Sequence, residues 1–198
     1  MVVAALSRHD PGRRRTNQFL TKAILIHGNG GCTAADIWLP YLERELTAFG
    51  VEVINQTFPD NVKARASYWL AHLEDLGADA RTILIGHSSG AVAAMRYAET
   101  HRLLGSILVG VCYTDLGDSF EAASGYYRAQ WQWQRIRDNQ EWIGIYSSTD
   151  DPHIPIAEPR FIATQLRCSY FEFEDRGHFV DSREFPEALA FLKRRLRD

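Results

Sequence analysis

Cysteine is scarce in this chain, and its three residues, Cys32, Cys112 and Cys168, stand far apart. That excludes a disulfide framework. It also gives neither a C-x-x-C pair nor the spacing of a zinc site, so reduced thiols in a cytoplasmic protein are expected. No apolar run approaches the roughly 18 residues that suggest a membrane span, so no membrane partner is expected. An excess of positive charge is missing too: 22 basic residues face 25 acidic ones, for a net charge of −3. Nucleic-acid binders usually carry the opposite balance, because cations displace the counterions of phosphates. Internal repeats and low-complexity tracts are absent. What remains is a 198-residue chain, 45% hydrophobic and 24% charged, which fits one soluble globular domain.

Residues 1–20 are expected to form a flexible basic leader ahead of a domain spanning 21–198. The leader's apolar run, 2–6, is too short for a signal-peptide core. Its charges, Arg8, Arg13, Arg14 and Arg15, follow that run instead of preceding it. Asp10-Pro11-Gly12 interrupts any amphipathic helix there.

Beyond the leader, short apolar runs alternate with segments of helical period. The runs lie at 23–27, 51–55, 82–86, 106–111, 142–146 and 168–173. Ile83-Leu84-Ile85 and Ile107-Leu108-Val109 are continuously apolar, as parallel strands covered on both faces require. Helices are expected at 35–49, 64–76, 89–100, 156–165 and 183–197, with Gly50 and Gly77 ending the first two. This alternation predicts one three-layer α/β domain, a mainly parallel six-stranded sheet with helices on both faces. Only 113–139 exceeds a simple crossover. Its aromatics, Tyr126, Tyr127, Trp131 and Trp133, suit either core filling or a substrate wall, and Tyr126, Trp131 and Trp133 are carried forward as candidate substrate-binding residues.

Gly86-His87-Ser88-Ser89-Gly90 matches G-x-S-x-G. About one chain in fifteen of this length carries that pattern by chance, so the context decides. A predicted strand precedes it and Ala91-Val92-Ala93-Ala94-Met95 opens a helix after it, which is the strand–turn–helix of a nucleophile elbow. The competing reading makes Ser88 a helix N-cap with glycines that serve packing alone.

A serine hydroxyl needs an adjacent base, and in a fold with this elbow the order along the chain is Ser, Asp or Glu, then His. His178, after the last predicted strand, is the candidate base. Adjacent aspartates, Asp150 and Asp151, follow the strand at 142–146, and Asp151 before the proline turn is preferred, with Asp115 a distant third. Two backbone donors are expected for an oxyanion hole, one at Ser89 and one in the Gly28-Asn29-Gly30-Gly31 loop, where Asn29 is chosen with Gly30 close behind.

These segments together resemble small serine hydrolases of the retinoblastoma-binding protein 9 type, within the α/β-hydrolase superfamily. The resemblance is carried by Gly28-Asn29-Gly30-Gly31, Phe58-Pro59-Asp60, the IGHSSGAVAAMR segment at 85–96, Asp115-Leu116-Gly117-Asp118, Trp131-Gln132-Trp133 and Gly177-His178-Phe179. It covers almost everything after the leader. It implies a compact hydrolase core with a minimal cap and a triad of Ser88, Asp151 and His178, settling Asp151 over Asp150. Retinoblastoma-type binding is not expected, because the L-x-C-x-E motif is absent and the segment at 73–79 has no cysteine.

The expected chemistry is hydrolysis of a small carboxylic ester or amide through an acyl-serine, with no cofactor and no metal. The alternative is a catalytically silent protein of this fold acting as a protein-binding module. A dinucleotide-binding reading of Gly28-Asn29-Gly30 fails, since Thr33 occupies the third glycine position.

Overall fold

Residues 21–197 are described by a computed structural model. The leader proposed for 1–20 lies outside them.

Six strands form one sheet: β1 (Lys22–Ile26), β2 (Glu52–Asn55), β3 (Thr82–His87), β4 (Leu103–Val109), β5 (Gln140–Ser148) and β6 (Ser169–Phe173). Their order is β2-β1-β3-β4-β5-β6, and every neighbouring pair is parallel. The helices are α1 (Leu39–Ala48), α2 (Ala66–Asp75), α3 (Ser89–Ala98), α4 (Ser119–Ser124), α5 (Trp133–Asp138), α6 (Ala157–Leu166) and α7 (Pro186–Arg195).

Strand periodicity sorts the core into two layers. Ala23, Leu25, Ile83, Ile85, Ile107 and Val109 point to one face, where Leu39, Leu42 and Leu46 of α1 and Leu189 and Leu192 of α7 cover them. Ile24, Ile26, Leu84 and Leu108 point to the other, under α2, α3, α5 and α6. Every residue of β3 is buried. Truncating Leu84 to Ala at this position would cost about 2–5 kcal/mol.

Two expected helices begin later than their apolar period suggested. The first starts at Leu39, with Pro40 in its first turn, and the last at Pro186. A proline is comfortable there because its missing N–H would have no intrahelical partner. The long 113–139 stretch holds only the short helices α4 and α5, so little covers the sheet's carboxyl end.

The strand order reverses direction between β1 and β3. Ligands of open α/β sheets bind at such a switch point, beyond the strands' carboxyl ends. The loop after β1 and the turn after β3 both open there.

Candidate active site

The turn after β3 is sterically enforced. Ser88 adopts φ 53° and ψ −120°, a conformation that costs a non-glycine residue of order 1–3 kcal/mol. Its amide donates to Val109 O at 2.8 Å, and α3 starts at the next residue. The Ser88 side chain makes no capping hydrogen bond, which removes the simple N-cap reading. A Cβ on Gly86 would lie 2.4 Å from the Gly90 carbonyl carbon and oxygen, and one on Gly90 would lie 2.4 Å from Ile26 O. Both glycines of the motif are therefore demanded by backbone approach.

His178 and Asp151 meet from two separate loops. His178 Nδ1 donates to Asp151 Oδ2 at 2.7 Å, and the side chains are only 8% and 3% exposed. The other carboxylate oxygen, Oδ1, accepts the amides of His153 (2.8 Å) and Ile154 (3.0 Å). Burial pushes the Asp151 carboxyl up, but the His178 hydrogen bond and charge and the two amides outweigh it and hold it below the ordinary value. An ionised Asp151 accepts only, so the Nδ1 proton is fixed and Nε2 is left as the basic nitrogen.

Asp150 has a different task. Its Oδ1 accepts from Ser148 Oγ at 2.5 Å and from the Gly177 amide at 2.9 Å, which ties the His178 loop to the end of β5. The Ser148 bond holds this carboxyl low. Asp115 accepts the Gly117 amide within its own turn and lies outside the cleft lining.

The loop after β1 is held by His27, which the sequence left without a role. Nδ1 donates to Gly28 O at 2.7 Å and Nε2 accepts the Phe58 amide at 2.8 Å, a pattern that only one neutral tautomer satisfies. Burial lowers the His27 pKa and favours that form. Gly30 N and Gly31 N donate to Val62 O and Asn61 O, and Asn29 Nδ2 donates to Glu121 Oε1 at 2.6 Å.

Ser88, Ser89, His178 and Asn29 line one cleft of about 500 Å³. Leu116, Tyr127, Ile154 and Val180 supply apolar wall, while Asp118 and Glu121 are its acidic groups. His153 lies at the same cleft, its ring edge-on to His178 with centroids 5.1 Å apart.

The three aromatics expected to bind substrate do not reach this cleft. Tyr126 is 2% exposed and packs in the core under α3. Trp131 covers the Arg96 guanidinium at 3.5 Å and donates Nε1 to Tyr113 O, while Trp133 stacks on Trp131. A turn-rich segment has no fixed period, so sequence could not tell which side chains point inward. Tyr127 takes the place expected of Tyr126 and sits 3.2 Å from Cys112 Sγ through its hydroxyl.

Among the described residues, no three His, Cys, Asp or Glu side chains cluster as a metal site, and no helix is long and apolar enough to cross a membrane.

The sequence matches the serine hydrolase family over residues 23–193. It is similar to Serine hydrolase RBBP9 of Rattus norvegicus, 43% identical over 176 residues, covering 87% of this chain and 94% of that protein. Among solved structures, the ydeN gene product of B. subtilis superposes with a TM-score of 0.81 at 23% identity, over 90% of this chain and 100% of that one. Est1E from Butyrivibrio proteoclasticus, with ferulic acid bound, gives 0.72 at 14% identity over 89% and 90%. These last two likenesses speak to the fold. With the family match and the close relative each spanning most of its length, the chain belongs to the serine hydrolase family, built on the α/β-hydrolase fold.

Proposed function

We propose that this hydrolase cleaves a small carboxylic ester or amide through a covalent acyl-Ser88 intermediate. His178 Nε2 takes the Ser88 hydroxyl proton as Oγ attacks the acyl carbon. The backbone N–H groups of Ser89 and Asn29 receive the negative charge on the carbonyl oxygen, each contributing about 3–4 kcal/mol at the transition state. His178 then returns the proton to the leaving oxygen or nitrogen. In the second half it deprotonates a water, which attacks the acyl carbon; Ser88 leaves with the proton and the acid is released. Asp151 keeps the Nδ1 proton in place and stabilises the imidazolium. No step calls for a cofactor.

One observation carries this reading: the 2.7 Å bond from His178 Nδ1 to Asp151 beside the same cleft that holds the strained Ser88. The three free thiols suit a reducing, cytoplasmic setting.

The test is intact mass after exposure to a fluorophosphonate probe, with Ser88→Ala alongside. A single adduct on the native chain and none on the variant is the expected result. An unlabelled, folded native chain would overturn the proposal and favour a binding module that kept the fold.

A further inference from the structure

Glu121 is poorly explained by stability. It is half-buried in the cleft wall on α4, and no ion pair to Lys or Arg is found for it among the described residues. Burial raises its pKa, and the carboxylates of Asp118 and Asp115 push the same way, against the Asn29 hydrogen bond and the charge of His178. A carboxylate placed so costs the fold more than an apolar residue would, and such groups concentrate at functional sites.

Its partner gives the reason. The Asn29 Nδ2 to Glu121 Oε1 bond, 2.6 Å long, joins residues 92 positions apart, one on the loop after β1 and one on α4. The Glu121 end is itself anchored: Asp118 Oδ1 accepts its amide at 3.2 Å, and its carbonyl accepts from Ser124 Oγ at 2.6 Å. On the far side, Gly30 and Gly31 are tied to Val62 and Asn61. Asn29 thus stands between two fixed attachments.

We propose that Glu121 is a positioning residue for hydrolysis at Ser88, gripping the Asn29 side chain so that the loop's backbone donor stays where the oxyanion forms. This rests on the acyl-Ser88 reading. Glu121 need not touch substrate. Its action is to stop the Asn29 peptide from turning away as charge develops, and displacement of such a group by about 1 Å can cost on the order of 100-fold in rate.

The experiment is steady-state hydrolysis of p-nitrophenyl acetate by the full chain, with thermal melts of each variant. Glu121→Ala is expected to lower kcat by about 10- to 100-fold with KM changed less than about threefold. Glu121→Gln keeps an acceptor for Asn29 and is expected to stay within about threefold of the native kcat. Asn29→Asp sets two carboxylates against each other and should lose turnover. Adding Glu121→Gln to it restores a hydrogen bond with donor and acceptor exchanged and should recover activity, even if Glu121→Ala fails to fold. A native kcat in folded Glu121→Ala, a Glu121→Gln as impaired as Glu121→Ala, or an Asn29→Asp/Glu121→Gln pair no better than Asn29→Asp would each overturn the positioning role. Turnover that survives in Ser88→Ala would instead overturn the underlying reading, and this inference with it.

Discussion

Nε2 of His87 donates a 2.8 Å hydrogen bond to the backbone carbonyl of His178. The residue just before the candidate nucleophile therefore holds the main chain that carries the candidate base. The two rings lie 4.8 Å apart, so a charge on His87 would face His178 directly. Burial, followed by that repulsion, drops the His87 pKa from 6.5 to about 3. Its neutral form is thus part of the folded site.

This predicts acid lability with a definite sign. The folded-state pKa of His87 is depressed, so its contribution is complete above the unfolded value of 6.5 and is lost as pH falls from there towards about 3. The slope from one such group reaches about 1.4 kcal/mol per pH unit. Asp151 acts in the same sense at lower pH, because its folded pKa also lies below the ordinary value. Denaturant melts from pH 7.5 to 4.5 should show stability falling with acid. His87→Gln can still donate to the His178 carbonyl, so its curve should be flatter between pH 6.5 and 4.5. Parallel curves would assign the acid lability elsewhere.

Backbone strain at Ser88 gives a prediction about stability without turnover. Ser88→Ala and Ser88→Gly both remove the hydroxyl and should abolish ester hydrolysis. Only glycine also relieves φ 53°. After the extra unfolded-chain entropy of glycine, the Gly variant should be about 1 kcal/mol more stable than the Ala variant in chemical denaturation. Equal midpoints would mean that the turn stores little strain.

The neighbouring aspartates should separate cleanly in kinetics. Asp151→Asn offers Nδ1 of His178 a partner that no longer enforces one tautomer, and kcat should fall by about 10⁴-fold. Asp150→Asn keeps an Oδ1 that can accept from Ser148 and Gly177, so it should remain close to native. Asp150→Ala frees the loop and should lose stability first. If Asp150→Asn were the crippled variant, the triad assignment would be exchanged.

The parts of this molecule that were legible in its sequence are those with a fixed repeat. Ile83-Leu84-Ile85 and Ile107-Leu108-Val109 announce buried parallel strands because both faces of the sheet are covered. Ser88 was visible because the elbow demands Gly86 and Gly90 at set offsets. His27, His87 and Glu121 were not visible as site residues, since their partners, Phe58, His178 and Asn29, are distant in the chain and no local pattern encodes such pairs. For the aromatics of 126–133 no fixed period says which side chains point inward, and Trp131 shows that tryptophan serves a cation as well as it serves a substrate.

That cation is Arg96, and its replacement tests the corrected role of Trp131 and Trp133. Arg96 is 8% exposed. It donates Nε to Tyr126 O and Nη2 to Ala129 O, both at 2.7 Å, and pairs Nη1 with Glu99 at 2.8 Å beneath the Trp131 ring. The planar guanidinium thereby staples the 126–131 segment to α3. Lysine keeps the charge but cannot present this fork, so Arg96→Lys should leave the buried Tyr126 carbonyl unpaired and cost about 1–3 kcal/mol. Limited proteolysis with chymotrypsin should then cut first among Tyr126, Tyr127, Trp131 and Trp133, and turnover should fall because Tyr127 is part of the cleft wall. Trp133→Leu, by contrast, should lower the melting temperature while leaving KM for small esters unchanged. A shifted KM in that variant, with native stability, would return Trp133 to the substrate site; native melting and native proteolysis in Arg96→Lys would show that the staple is not what holds this wall in place.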